Sequence, residues 1–370
     1  MKRLSLLIKP ASSLCNLRCG YCFYHSLAEQ RSRESYGIME PHTADTLIGR
    51  ALDEACDVTF IFQGGEPTLA GLDFFRHFTA EAEQRKASGM QVSYAMQTNG
   101  VDMTEEFARF LGEHQFLVGL SLDGPEELND WMRGSGSFRS AMGAAALFER
   151  MGVQYNILSV VHAGVARHAA KVYRFLTGKG FRYLQFIPCL DPLGSKPFSQ
   201  RHSLKPELYS DFLIRLFHLW ADDVIAGRGV SIRFFDNLLA AAAGYPPEQC
   251  GMQGRCGGQL VVEADGSMYP CDFYCVDDWR IGSIADMSIR QAFESPAMRR
   301  FIETSAYDDA ECLQCQYYGL CRGGCRRDRD AQANGAAGPN RYCGALKRFY
   351  AEAAPRLPEL LRAVSKNPVL

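Results

Sequence analysis

Cys15, Cys19 and Cys22 stand in the run Cys15-Asn-Leu-Arg-Cys19-Gly-Tyr-Cys22, a C-x3-C-x2-C spacing. Thiolates this close suit an iron–sulfur cluster, for which cysteine sulfur is the usual protein ligand. A cubane of four irons held by three side chains leaves one iron with no protein ligand. An open metal position is a catalytic one, whereas structural sites are closed. Two plainer readings compete, a disulfide pair and a zinc knot. Three cysteines alone cannot close a tetrahedral zinc site, though His25, three residues further on, could complete one.

A second chemical segment ends an apolar run: Gln63-Gly64-Gly65-Glu66-Pro67. Glycine there permits close approach of backbone to a ligand. Together with the cysteine triad, this turn resembles those of the radical S-adenosylmethionine (SAM) enzymes. The resemblance implies that the amino and carboxylate groups of SAM chelate the open iron. An electron from the cluster then splits SAM into methionine and a 5′-deoxyadenosyl radical. It further implies that the backbone at Gly65 and the side chain of Glu66 hold the SAM amino group. Tyr21, inside the triad, matches a backbone contact to adenine, and Leu190 a second adenine contact. Ser121 and Arg133 match contacts to ribose or the methionine carboxylate. As plain residues these last three are a strand-end serine, a surface arginine and a core leucine.

Nine of the fourteen cysteines fall between Cys250 and Cys343. A hairpin signal, Leu260 to Tyr269 with Asp265-Gly266 at its turn, lies between Cys256 and Cys271. Cys312, Cys315, Cys321 and Cys325 follow as C-x2-C-x5-C-x3-C, and Cys343 comes after seventeen intervening residues. By spacing alone these could be two zinc ribbons. The pattern resembles the SPASM extension of peptide-modifying radical SAM enzymes, in which Cys256, Gly266 and Cys271 are separated by nine and then four residues, as here. The resemblance implies two auxiliary [4Fe-4S] clusters, making three with that of the triad. One would be held by Cys250, Cys256, Cys271 and Cys325, the other by Cys312, Cys315, Cys321 and Cys343. Full thiolate ligation leaves neither an iron for SAM, so they would take up or pass on an electron.

Asp272, next to Cys271, is the candidate catalytic base. A carboxylate held beside a cluster ligand and tuned by burial suits proton abstraction; otherwise it caps the end of the hairpin. Arg322, Arg326, Arg327 and Arg329 either offset the negative charge of thiolate-ligated clusters or form a solvated basic face. Cys56, Cys189 and Cys275 are unassigned and are expected as small buried hydrophobes, with Cys275 also open as a substitute ligand.

The elements that must position these groups are legible as alternating strands and helices. Strand patterns cover Leu4–Lys9, Val58–Gln63, Val92–Thr98, Phe116–Leu122, Val153–Val161 and Tyr183–Ile187. Helical spacing covers Thr43–Cys56, Leu72–Lys86, Glu105–Glu113, Phe138–Met151 and His168–Leu176, with a long helix at Pro206–Ala226. Six β/α units imply a parallel sheet with helices outside. The expected fold is α/β: a partial (β/α)6 TIM-like barrel, open on one side, with a C-terminal SPASM domain. Sites on such barrels lie where the strands end, and the triad and the Gly-Gly turn both follow strands. The change in composition places a domain boundary near residue 245, giving 1–245 and 246–370.

Bulk properties narrow the class. At 370 residues, 47% apolar and 22% charged, the chain reads as globular and larger than one ordinary domain. A net charge of −2 and a pI near 6.5 give no footprint for nucleic acid. Lys9 and Pro10 interrupt the N-terminal apolar stretch too early for a signal peptide, and no run has the length of a membrane span. The expectation is a cytoplasmic protein, whose clustered cysteines bind metal.

Several segments together narrow the resemblance to the anaerobic sulfatase-maturating enzymes. They are Ser5-Leu-Leu-Ile-Lys-Pro-Ala-Ser-Ser, Cys22-Phe-Tyr-His, Tyr36-Gly-Ile-Met, Phe62-Gln-Gly-Gly-Glu-Pro-Thr-Leu-Ala-Gly, Gln97-Thr-Asn-Gly, Gly119-Leu-Ser-Leu-Asp-Gly-Pro and Tyr269-Pro-Cys-Asp-Phe-Tyr. The resemblance implies oxidation of a Cys or Ser in a new sulfatase polypeptide, within a C/S-x-P/A-x-R segment, to Cα-formylglycine. A radical removes a Cβ hydrogen, Asp272 takes the thiol or hydroxyl proton, and an auxiliary cluster takes the remaining electron. An electron donor such as flavodoxin or ferredoxin is implied as a partner. The nearest rival is another SPASM peptide maturase, forming a thioether or carbon–carbon bond; many carry an N-terminal leader-binding domain, and none fits before Leu4. A zinc module or simple electron carrier is the rival from a different class. About twelve irons per chain would separate the enzyme from zinc.

Overall fold

The structure, a computed structural model, describes residues 1–307, 309–331 and 337–366; the end of the expected second domain, 367–370, lies outside the described residues. The six expected strands form within one residue of their expected ends: β1 (Arg3–Ile8), β2 (Asp57–Phe62), β3 (Gln91–Thr98), β4 (Leu117–Ser121), β5 (Gln154–Val161) and β6 (Tyr183–Pro188). Between and after them come α1 (Phe23–Ala28), α2 (Pro41–Glu54), α3 (Leu72–Arg85), α4 (Glu105–Glu113), α5 (Glu126–Arg133), α6 (Ser137–Met151), α7 (Ala163–Arg167), α8 (Ala169–Gly178), α9 (Pro206–Ile225) and α10 (Arg233–Ala242). Short strands β7 (Ser231–Ile232), β8 (Leu260–Val262), β9 (Ser267–Tyr269) and β10 (Gly282–Ser283) complete the set used below. Of these, α1, α5, α7, α10, β7 and β10 add to the elements read from the sequence.

Contacts divide the chain into two compact units. The first comprises Met1–Ser121, Asn129–Tyr155 and Gly258–Phe301; the second comprises Leu122–Leu128, Asn156–Gly257 and Ile302–Leu370. Thus the hairpin expected beyond residue 245 groups by contact with the N-terminal strands. Its first strand continues their sheet: β8 pairs in parallel with β1, Leu6 opposite Leu260 and Ile8 opposite Val262. Leu260, Val261 and Val262 are wholly buried, as suits a strand covered on both faces.

In the first unit, β1, β2, β3 and β4 run parallel in sequence order, with Ile8 in register with Phe62 and Phe62 with Met96. Behind them packs an aromatic core in which Phe62 meets Phe75 and Phe78 edge to face at 5.1 and 5.0 Å. The helices start where the sequence allows: Thr104 caps α4 by accepting the Phe107 N–H at 3.1 Å. In the second unit, β5, β6 and β7 are parallel neighbours. Helix α9 begins with Pro206 in its first turn and buries Tyr209, Phe212, Leu216, Phe217, Trp220 and Val224, a stripe at helical spacing.

Candidate active site

The cysteine loop leaves β1 and meets the turn that leaves β2. The Glu66 N–H donates to the Leu14 carbonyl at 2.8 Å. Gly65 has φ +53°, and a Cβ there would lie 2.2 Å from the same carbonyl oxygen. No other residue permits that approach. Gly64 likewise leaves room for the Lys9 side chain, whose Cγ would be 2.7 Å from a Cβ. The two chemically suggestive segments are therefore one structural piece, at the strand ends where barrel sites lie.

Glu66 is buried, and its carboxylate is occupied. It accepts from Thr98 Oγ1 at 2.7 Å, Asn99 N at 2.8 Å, Thr68 Oγ1 at 2.9 Å and Thr68 N at 3.2 Å. Burial raises its pKa from the ordinary value against the pull of these donors. The side chain thus ties the turn to the end of β3. Asn99, given no role by the sequence, reaches Cys15 Sγ at 3.8 Å and Asn16 Oδ1 at 2.8 Å.

All fourteen cysteines are free thiols, which removes the disulfide reading. Cys15, Cys19 and Cys22 are partly exposed, and Cys15 and Cys22 sense one another electrostatically. Burial pushes the Cys15 thiol up to about 11, with Glu66 and Cys22 adding to it; binding to a metal would remove that proton outright. Arg133, buried at the end of α5, lies with its guanidinium 5.5 Å from the Tyr21 ring and draws the Cys22 thiol down against a larger effect of burial. It is not the surface arginine of the plainer reading. Ser121 closes β4 and is buried. Leu190, half-buried after β6, belongs to the second unit.

Asp272 opens a 3-10 turn directly after Cys271 and is 5% exposed. Its Oδ2 accepts from Tyr24 Oη at 2.6 Å and Gln63 Nε2 at 3.1 Å, and Lys9 Nζ lies 3.1 Å from Oδ1. Tyr24 comes from α1, Gln63 from the end of β2 and Lys9 from the end of β1. Lys9 is 2% exposed, sits 4.6 Å from the Tyr24 ring and lies 3.9 Å from Glu263, which Arg31 holds at 2.6 Å. Two cations and two carboxylates thus share one buried network. Burial by itself would lower the Lys9 pKa, but the anions around it raise it above the ordinary value. Burial and the Asp272 carboxylate hold the Tyr24 phenol well above its usual range. A carboxylate fixed from three directions in this way has the orientation that proton transfer requires. Lys9, Tyr24 and Gln63 lie inside the segments that carry the family resemblance, which was the only signal for them.

Cys275 is fully buried in a cluster with Leu7, Val261 and Tyr269, so its place is that of a small hydrophobe. Burial pushes its thiol up to about 12, so it is neutral at neutral pH and the carboxylates carry the attraction on Lys9. Cys189 is buried as expected. Cys56 is a correction: it is exposed, because it follows the last turn of α2 where the chain bends into β2.

The second unit gathers the other cysteines into two sets. Cys312 and Cys321 each sense Cys315 and Cys343. Cys325 senses Cys250 and Cys256, and a Cβ on Gly251 would lie 3.5 Å from that of Cys325. Cys271, the remaining thiol of that set by resemblance, lies in the first unit. The arginines are not a solvated face. Arg326, Arg327 and Arg329 are buried, and Arg329 donates to the carbonyls of Ser305, Gly323, Gly254 and Gly324. Arg326 and Arg329 oppose the effect of burial on the Cys256 thiol, as neighbours of a thiolate should. Among the described residues no three His, Cys, Asp or Glu side chains converge on a single ion.

Residues 10–176 match the radical SAM superfamily and residues 250–316 an iron–sulfur cluster-binding domain. A cysteine-type anaerobic sulfatase-maturating enzyme of Clostridium perfringens is 46% identical over 362 residues, 96% of this chain and 98% of the relative. One from Clostridium novyi (strain NT) is 42% identical over 370 residues, 99% of each. The solved structure of native anSMEcpe with bound AdoMet and Cp18Cys peptide superposes with a TM-score of 0.94 at 44% identity, covering 98% of this chain and 99% of that one. This chain belongs to the anaerobic sulfatase-maturating enzymes: a radical SAM enzyme with a partial (β/α)6 barrel and a C-terminal iron–sulfur cluster-binding SPASM domain.

Proposed function

We infer that this enzyme oxidises a cysteine or serine of a sulfatase polypeptide to Cα-formylglycine, with cysteine the preferred residue. The cysteine-type relatives at 46% and 42% identity support that preference. The substrate is an extended segment of the form C/S-x-P/A-x-R. The observation that carries the reading is the fixed carboxylate of Asp272, held by Lys9, Tyr24 and Gln63 in the same unit as the cysteine triad.

Cys15, Cys19 and Cys22 would hold a [4Fe-4S] cluster with an iron open to SAM, and together these would supply hydrogen abstraction from an unactivated carbon. The chain's own residues do the rest. The Gly64-Gly65 backbone, Tyr21, Ser121, Arg133 and Leu190 seat SAM. Asp272 takes the thiol or hydroxyl proton as the Cβ is oxidised, and a base in hydrogen-bond reach lowers that barrier. Gln63 and Tyr24 fix the angle of its carboxylate, so the proton transfer needs no side-chain search. Cys250/Cys256/Cys271/Cys325 and Cys312/Cys315/Cys321/Cys343 would hold two further [4Fe-4S] clusters, which would supply an acceptor for one electron. The buried arginines beside the first set offset its negative charge. A flavodoxin- or ferredoxin-type donor supplies the priming electron. The compartment is the cytoplasm, where thiols stay reduced; no helix among the described residues is long and apolar enough to cross a membrane.

The test is anaerobic incubation of the cluster-loaded enzyme with SAM, dithionite and Cys or Ser versions of the peptide, read by mass spectrometry. Formation of the aldehyde is the expected product. SAM cleavage with an unmodified or internally crosslinked peptide would refute the reading.

A further inference from the structure

A cleft of about 1010 Å³ opens in the second unit, between Pro125, α7, α8 and α9. Arg167, Lys171, Arg174 and Arg215 project into it and are exposed. Two carboxylates stand near these cations, and both are already paired: Glu127 with Lys171, and Asp211 with Arg348 at 2.6 Å. Arg174 and Arg215 make no ion pair among the described residues. Four lining cations against one lining carboxylate, Asp211, leave an excess of three positive charges, on a chain whose net charge is −2. The cations are spread over three helices and do not converge on a point. That geometry suits the broad face of an acidic protein better than a small anion.

The cleft has a chemical neighbour. Leu208, on its wall, is followed by Tyr209, whose ring lies 4.9 Å from that of Tyr342. Tyr342 directly precedes Cys343, the first residue of the helix Cys343–Ala353. Arg348, on that helix, is the residue that clamps Asp211 and Ser210 of α9. Five residues separate the clamp from Cys343, about 8 Å along a helix. Tyr350, from the same helix, senses both Cys321 and Tyr209. Tyr209, Tyr342 and Tyr350 thus link α9, which carries the cleft wall, to the Cys312/Cys315/Cys321/Cys343 set.

We propose that this cleft docks an acidic one-electron carrier protein, which exchanges electrons with the cluster on Cys312, Cys315, Cys321 and Cys343. The proposal rests on the function inferred above and adds a place of contact to it. The step is a single electron transfer: the cluster is oxidised by one electron, the carrier is reduced by one, and no group or proton is passed between the proteins. Substrate oxidation supplies that electron.

The test mixes pre-reduced, desalted holoenzyme with oxidised flavodoxin and follows semiquinone formation by stopped flow. The second-order rate constant should fall roughly tenfold between low and high salt. Arg174→Glu with Arg215→Glu should lower it by at least about tenfold at low salt and flatten the salt dependence, and the Lys replacements at both positions should restore it. Peptide turnover driven by dithionite checks the inferred function separately, and it should be unchanged in these surface variants. A charge-reversed enzyme that reacts with flavodoxin as fast as the parent would overturn the proposal. So would a parent reaction that salt does not slow, or an equal loss with dithionite.

Discussion

The cysteine triad and the Cys312/Cys315/Cys321/Cys343 set are built from the same side chain, yet their surroundings differ. The triad sits on a loop pressed against glycine backbone, with Asn99 and Arg133 close by and a buried carboxylate, Asp272, in the same unit. The later set brings four thiols together and is backed by tyrosines. Three thiols beside permissive backbone make a site with a place for a ligand. Four thiols backed by rings make a closed one. That difference is the physical ground for the proposed division, chemistry at the first and electron handling at the second.

Substitution at each set should break that contrast most severely. Cys19→Ala should abolish SAM cleavage and remove roughly a third of the bound iron. Cys315→Ala should lower iron by a similar share yet leave SAM cleavage measurable, with formylglycine lost. Equal loss of SAM cleavage in both would erase the distinction. Next in size is Asp272→Asn, which should lower formylglycine formation by about 10²- to 10⁴-fold, the usual range for a positioned acid or base. SAM affinity, measured by equilibrium binding, should stay within about threefold of the parent, since the side chain contacts no SAM-seating residue.

The buried charge network gives a stability effect. Lys9→Met removes the cation beside buried Asp272 and leaves Arg31 on Glu263, and should cost about 3–5 kcal/mol in denaturant unfolding. The smallest effect belongs to Cys275. Cys275→Val should shift stability by less than about 1.5 kcal/mol and leave the iron content intact, because the thiol fills apolar space. Loss of iron in that variant would make Cys275 a ligand after all.

Much of this was legible in the sequence because it is local. Strand ends came within one residue, since apolar runs stop at Gly64, Asn99 and Asp123 where turn chemistry begins. The triad, the Gly-Gly turn and the C-x2-C-x5-C-x3-C run are contiguous and could be read directly. What escaped depends on residues distant in the chain. Lys9, Arg31, Glu263 and Asp272 meet only because β8 pairs with β1, and no local pattern encodes that parallel register. The burial of Arg326, Arg327 and Arg329 was undecidable from a basic run for the same reason: their acceptors, such as Ser305 and Gly254, come from other loops. The resemblance gives Glu66 a contact to SAM, and only the fold reveals that Thr68, Thr98 and Asn99 also donate to its carboxylate.

The central claim is that one cluster, on Cys15, Cys19 and Cys22, has an iron open to SAM. Electron paramagnetic resonance of the anaerobically reduced enzyme, recorded before and after SAM is added, tests it directly. The account predicts that one component of the spectrum shifts on addition and that the shift vanishes in Cys19→Ala. A reduced enzyme with all its iron in place and a spectrum that SAM leaves unchanged would contradict it.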